Sequence, residues 1–192
     1  MQTLLALFRA VNVGARSASM AELRALFEAM GFAGAKTLLQ TGNVVFAADA
    51  APASLERRIE AAFQERFGFA SDVMVRTAAE WSAALRANPF PDAARDDPSH
   101  LLLMPLKAAP TAEAAAGFLD DWAGPETGAV RGRDAFLVYP EGIGRSKLTI
   151  AVIERRLGTR GTGRNWNTAL KLGALASQMD LGPAGVGASS AG

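Results

Sequence analysis

The order in which hydrophobic periodicity changes over the first 88 residues constrains this chain more than any other feature. QTLLALFRAV (residues 2–11) is a short apolar run of the kind that forms a buried strand. NVGARSAS follows as a loop, and Ser19 and Glu22 have capping-box spacing at a helix start. Met20, Leu23, Leu26, Phe27 and Met30 then share one helical face, with Gly31 placed to end it. AKTLLQTGNVVFAA reads as a strand, a turn at Thr41-Gly42-Asn43 and a second strand. Pro52 suits the start of another helix, whose stripe of Leu55, Ile59, Ala62, Phe63 and Phe67 runs up to Gly68. SDVMVRT is a strand, and Thr77 with Glu80 opens a helix carrying Trp81 and Leu85. Asn88-Pro89 stops that helix, because a residue before proline avoids helical backbone. The sum is βαββαβ followed by a helix, which is the ferredoxin-like order.

NPFPDAARDDPS (residues 88–99) has the composition of a linker. A strand, HLLLMPLKA, begins the pattern again. A helix is expected over residues 111–122, then two short strands about Gly132 in GAVRGRDAFLVYP, then a helix over residues 146–157. A last helix starts near Trp166 in place of a clear fourth strand. The expected class is therefore α+β, with two ferredoxin-like halves packed together and related by structural duplication. The halves are expected at residues 1–92 and 93–180, with the Gly-rich residues 181–192 as a flexible tail.

Composition narrows the chemistry. The chain has 192 residues, enough to bury a core without staples, and no cysteine, which excludes disulfides and thiolate chemistry. No apolar run approaches the roughly 20 residues of a membrane span. The opening residues lack a basic signal-peptide region, so a cytoplasmic protein without membrane partners is expected. The net charge of +1 conceals an asymmetry: residues 131–171 hold nine Lys/Arg against three acids. That segment carries a surplus that would attract an anionic partner, or would simply be a solvated face.

Three loops concentrate chemically capable side chains. In FRAVNVGARSASM, Arg9, Asn12, Gly14 and Arg16 precede a helix N-terminus, where free N–H groups can receive an anion. The alternative is a structural ion pair at Arg9. In YPEGIGRSKLT, Tyr139, Ser146 and Lys147 flank a glycine turn, but the spacing is not that of a phosphate loop. Ser146 is placed to cap a helix, or to act as a nucleophile beside Lys147, although adjacent helical residues point about 100° apart. In GTGRNWNTALKL, Arg164 offers a planar fork, Asn165 and Asn167 offer amides, and Trp166 offers a stacking face. Equally, Trp166 would serve as a core anchor and one of the asparagines as a cap. His100 is the only histidine, so a zinc site or a catalytic triad is not expected. No cofactor motif and no metal site are expected.

Five blocks, ALFRAVNVGARSASMAELRALFEAMGF, LLQTGNVVF, NPF, YPEGIGRSKLT and GRNWNTALKL, together resemble those of the bacterial family named domain of unknown function 1697. The likeness spans about residues 3–175. Ala10-Val11 and Thr41 depart mildly from the family wording, R-G-I-N-V-G and Q-S-G-N, and RGTGRN is longer than the usual T-R-N. The resemblance implies two ferredoxin-like halves and implies no activity.

The functional expectation is a binding protein. Arg9, Lys147 and Arg164 would meet across the halves in a basic, glycine-walled cleft and neutralise the phosphate of a nucleotide or a short single-stranded nucleic acid. Asn12, Asn43, Asn165 and Asn167 would bond polar edges, and Tyr139 or Trp166 would stack. Two rivals stand beside it. One is a metal-free enzyme acting on a small phosphorylated or carboxylated substrate through Ser146 or Lys147. The other is an interaction module whose loops only hold the halves together.

Overall fold

Strand β1 (Gln2–Phe8) is buried from Thr3 to Phe8 because each of its faces meets a different core. Successive strand side chains point to opposite sides. Leu4, Ala6 and Phe8 therefore join one cluster, and Leu5 and Leu7 join another. β1 lies between β3 (Asn43–Ala48) and β4 (Val73–Thr77), antiparallel to both, with the two-residue β2 (Lys36–Thr37) at the edge. The order is β2-β3-β1-β4. Helices α1 (Met20–Ala29) and α2 (Pro52–Phe67) cover the first face with Leu23, Phe27, Leu55, Ile59 and Phe63. Ser19 and Glu22 form the expected capping box on α1, and Thr77 and Glu80 do the same on α3 (Ala78–Arg86). The computed structural model describes residues 1–12, 14 and 17–180. Arg16 and the tail at 181–192 lie outside them.

The second half repeats the first. β5 (Leu101–Pro105), β6 (Thr127–Arg131), β7 (Asp134–Val138) and β8 (Arg164–Asn165) form an antiparallel sheet in the order β6-β7-β5-β8. That is the order of the first sheet, with α5 (Ala112–Ala116) and α6 (Ile150–Leu157) as crossovers. The protein is an α+β fold of two four-stranded antiparallel sheets, each with helices, consistent with two ferredoxin-like halves. The fourth strand of the second sheet exists after all. It is only two residues long and is entered through Gly161 and Gly163, so it leaves no alternation in the sequence.

Four other boundaries differ from expectation. The helix expected over residues 111–122 is α5, which ends at Ala116 before Gly117. The turn before β3 is not tight: residues 38–42 form a loop, with Leu39 at φ 58°. The expected linker carries a helix, α4 (Pro91–Asp96), because Phe90, Ala93 and Ala94 pack into the core shared by the halves. Finally, α6 starts at Ile150 with Thr149 as its cap, not at Ser146.

The shared core sets how the sheets face each other. It holds Leu5, Leu7 and Val45 from the first sheet and Leu101, Leu103 and Phe136 from the second. Between them lie Trp81 and Ala84 of α3 and Trp166, Ala169, Leu172 and Ala176 of α7 (Trp166–Asp180). Trp81 donates its indole N–H to Ala169 O at 3.0 Å, so its one polar atom is satisfied in the core. Gly173 lets α7 close on α3, since a Cβ there would stand 2.8 Å from Leu85 Cδ1.

Candidate functional site

Arg164 is the residue around which the singled-out loops assemble. Gly163 lies flat on β5, where a Cβ would stand 2.6 Å from Leu102 Cδ2, and this close approach turns Arg164 toward the first half. Arg164 is 6% exposed. Nε donates to Asn43 Oδ1 (2.6 Å), Nη1 to Thr162 Oγ1 (2.7 Å) and Gly163 O (2.9 Å), and Nη2 to Phe8 O (3.0 Å) and Thr41 O (2.9 Å). A guanidinium has five N–H groups, and each therefore has an acceptor. Burial pushes the pKa down to about 10, so the group is still charged at neutral pH. With no donor left and no opening to solvent, Arg164 has nothing to offer a phosphate. It joins β8 to the ends of β1 and the loop before β3.

Asn43 and Asn12 are consumed in the same junction. Asn43 is fully buried and donates its amide to Leu38 O (2.8 Å) and Thr41 Oγ1 (2.9 Å). Asn12 accepts from Ala18 N (2.8 Å) and donates to Ala18 O (3.1 Å) and Gln40 O (2.9 Å), which pins one loop to the next. Gly42 must be glycine here, with φ at 72° and Phe8 Cβ 2.9 Å from where a Cβ would be. Gly14 is exposed at φ 63° with no atom within 4 Å of its Cβ position. Among the described residues, the non-glycine positions with positive φ are Ala10, Asn12 and Leu39, all in these two touching loops. Such backbone costs of order 1–3 kcal/mol per residue and persists where surrounding bonds enforce it.

Arg9 does face a cavity. Nε and Nη2 form a bidentate pair with Glu154 of α6 at 2.7 and 2.8 Å, a link between the halves. Glu154 also receives Gly161 N at 3.0 Å. The cavity, about 590 Å³, is lined by Arg9, Ala10, Arg57, Glu60, Asp72 and Arg160 among others. Arg160 bonds Asp72 at 2.7 Å. The hydrogen bond Arg9 donates to Glu154 raises the pKa of Arg9, and the one Arg160 donates to Asp72 raises that of Arg160, so both stay cationic. Arg57, exposed on α2, has no partner among the described residues.

The remaining residues lie elsewhere. Lys147 is exposed and has no partner among the described residues, in a separate cavity of about 430 Å³ with Trp122, Glu126, Glu141, Arg145 and Ser146. Ser146 does not cap α6. Its hydroxyl accepts Leu148 N at 2.9 Å and donates to the buried Glu126 carboxylate, which also receives Trp122 Nε1 at 2.7 Å. Because Ser146 has extended backbone after the 3₁₀ turn Ile143–Arg145, Lys147 is not in a helical first turn. Tyr139 is 2% exposed and donates to Leu148 O at 3.0 Å, its pKa raised by burial. Trp166 is a core residue, 5% exposed, and presents no free face for stacking. Asn165 is exposed and caps α7 by accepting Thr168 N at 2.9 Å, while Asn167 is exposed without a hydrogen bond among the described residues.

The three expected cations thus share no hollow: Arg9 lines one cavity, Lys147 another, Arg164 none. Arg57 and Arg160 were missed. Exposed arginines on a polar helix face or in a basic segment carry no mark that separates them from solvated charge. No cluster of three or more His, Cys, Asp or Glu able to hold a metal occurs among the described residues. No helix there is long and apolar enough to cross a membrane.

The fold has a close counterpart in the conserved bacterial protein SP0830 from Streptococcus pneumoniae. Its structure matches with a TM-score of 0.74 over 93% of this chain and 99% of that one, at 19% identity. No curated protein matches. The family model described as protein of unknown function (DUF1697) matches residues 1–136, a span that contains the Arg9 loop, the loop before β3 and the first sheet and leaves the Ser146 and Arg164 blocks outside. The chain belongs to the DUF1697 family.

Proposed function

We propose that the protein binds a phosphate-bearing ligand, such as a nucleotide or the backbone of a short single strand, in the cavity of the first half that Arg160 of the second half borders. The observation that carries this reading is the meeting of three arginines from separate segments, Arg9, Arg57 and Arg160, around one hollow of about 590 Å³. That volume suits a nucleotide-sized molecule. Arg9 and Arg160 are each held by a carboxylate that leaves part of the guanidinium open, and Arg57 is unpaired. Glu60 and Asp72 on the rim temper the field, which favours a compact phosphate over a long polyanion. No aromatic side chain is among the cavity's lining residues, so recognition rests on charge-assisted bonds and not on base stacking.

The test is a thermal-shift and calorimetry series with inorganic phosphate, nucleoside monophosphates, sugar phosphates and a short oligonucleotide. A ligand at about 100 times its dissociation constant adds roughly 2.7 kcal/mol of stability. Arg57 is exposed and has no hydrogen-bond or ion-pair partner among the described residues, so the unliganded melting temperature of Arg57→Ala is expected to stay near the wild-type value. Loss of one charge-assisted bond, roughly 1.5–3 kcal/mol, weakens binding about 10- to 100-fold. Wild-type affinity in R57A, or no response to any of these compounds, defeats the reading.

A further inference from the structure

The one histidine stands on a third cavity, and its geometry gives that cavity a chemical character. His100 immediately precedes β5. Its backbone N–H donates to Asp97 O at 3.1 Å and its carbonyl accepts Tyr139 N at 2.9 Å, which fixes where the ring begins. Ring Nδ1 stands 2.6 Å from Asp97 Oδ2, and Asp97 Oδ1 receives the Ser99 hydroxyl at 2.8 Å. The Ser99 bond, with the His100 ring adding to it, holds the Asp97 carboxyl below its usual range. An ionised carboxylate only accepts, so Nδ1 carries the hydrogen, and in the neutral form of the ring Nε2 is then a bare lone pair.

Nε2 has no partner among the described residues. Beside it is the backbone of Gly142, where a Cβ would stand 3.4 Å away. The cavity measures about 530 Å³ and is walled by Leu101, Leu102, Ile143, Gly144, Gly163 and Asn165. Leu and Gly dominate that wall, and Ile143 at its edge is 46% exposed, an uncovered apolar side chain. Asn165 spends its oxygen on the α7 cap, which leaves its amide N–H₂ as a donor. Ser99 and Tyr139 also line the cavity, but their hydroxyls donate to Asp97 and to Leu148 O. The lining side-chain groups without a partner among the described residues are thus the Nε2 acceptor and the Asn165 amide donor.

We propose that this cavity is a binding site for a small, largely apolar molecule bearing a hydroxyl, of the phenol or alcohol class, whose O–H is received by His100 Nε2. The Asp97 carboxylate acts through the ring as a positioning group: it selects the tautomer in which Nε2 accepts.

Phenol serves as the probe, and diethyl pyrocarbonate reports on the ring. The reagent's carbonyl carbon bonds to unprotonated Nε2 and ethyl carbonate leaves, and with one histidine in the chain the imidazole signal belongs to His100 alone. Phenol is expected to slow this acylation in a saturable way and to shift the ring Cε1–H resonance with the same half-saturation. With the Ser99 hydroxyl kept on Oδ1, Asp97→Asn sets an N–H₂ toward Nδ1, which favours the tautomer with Nε2 as donor, and is expected to weaken the phenol effect at least ten-fold while far-UV circular dichroism stays unchanged. Asn165→Asp keeps the cap and removes the donor, and is expected to weaken it less. Protection that never saturates, a resonance that phenol does not move, or an undiminished effect in folded D97N would overturn the proposal.

Discussion

Arg164→Ala is expected to lower the free energy of unfolding by about 3–5 kcal/mol, the range for removing one partner of a buried charged network. The side chain donates to five oxygens from three separate segments: Phe8, Thr41 with Asn43, and Thr162 with Gly163. Alanine leaves those acceptors without it in a space closed to solvent, each a desolvation cost of about 1–3 kcal/mol that only water entry could relieve. The cationic charge itself was costly to bury, as its lowered pKa shows, so part of the loss is returned. For a chain of this size the melting temperature should fall by roughly 6–20 °C. Arg164→Lys should be intermediate, since three donors on one nitrogen cannot span a planar fork of five acceptors. Phosphate binding by the folded fraction should be unchanged, because Arg164 lines no described cavity. Urea denaturation of both variants at matched m-value, with calorimetry below the transition, checks all three statements. A wild-type midpoint for R164A would mean that the loops are held by something else.

The contrast between Arg164 and Arg57 shows what a linear chain reveals. Strands and helices were legible where side chains repeat with a period: the face Leu23, Leu26, Phe27, the run from Thr3 to Phe8, and the capping boxes at Ser19 and Thr77 all appear in place. What periodicity cannot carry was misplaced. β8 is two residues defined by a close glycine approach, and α4 exists because Phe90, Ala93 and Ala94 find a core built from distant segments. The sequence also marks Arg164, Asn12 and Asn43 correctly as unusual residues for their positions. It does not reveal that every hydrogen-bonding group of the Arg164 fork has a partner inside the protein, because valence is satisfied only once the loops at 8–12, 38–43 and 161–165 are adjacent. Residues that look like ligand chemistry in one dimension are here the means by which two similar halves are joined. The cations left over, Arg9, Arg57 and Arg160, become recognisable as a group only through the cavity they face.

A second junction makes the opposite prediction about charge. Arg76 on β4 is 3% exposed and donates through Nη2 to Leu106 O and Arg133 O, both at 2.9 Å, so it too links the halves. Its counter-ion, Asp134, approaches only to 3.6 Å. Among the described residues, Asp134 Oδ1 and Arg133 Nε are the buried side-chain atoms lacking a hydrogen bond. Burial lowers the pKa of Arg76 and raises that of Asp134, so for both groups desolvation outweighs their attraction. The carboxyl's folded pKa lies above its unfolded value. Its charged form therefore weakens the fold at neutral pH, and that penalty vanishes as pH falls through the folded pKa toward about 3.8. Asp134→Asn should accordingly be neutral or stabilising at pH 7, with its advantage over wild type shrinking as the solution is acidified. Arg76→Met alone should cost about 3–5 kcal/mol, because it strands the buried carboxylate and removes a donor from the carbonyls of Leu106 and Arg133. Adding Asp134→Leu to it should recover part of that loss, a coupling of roughly 1–3 kcal/mol in a double-mutant cycle. Additive effects of the two substitutions would show that Arg76 works through the carbonyls of Leu106 and Arg133 alone, and that the acid beside it contributes nothing to joining the halves.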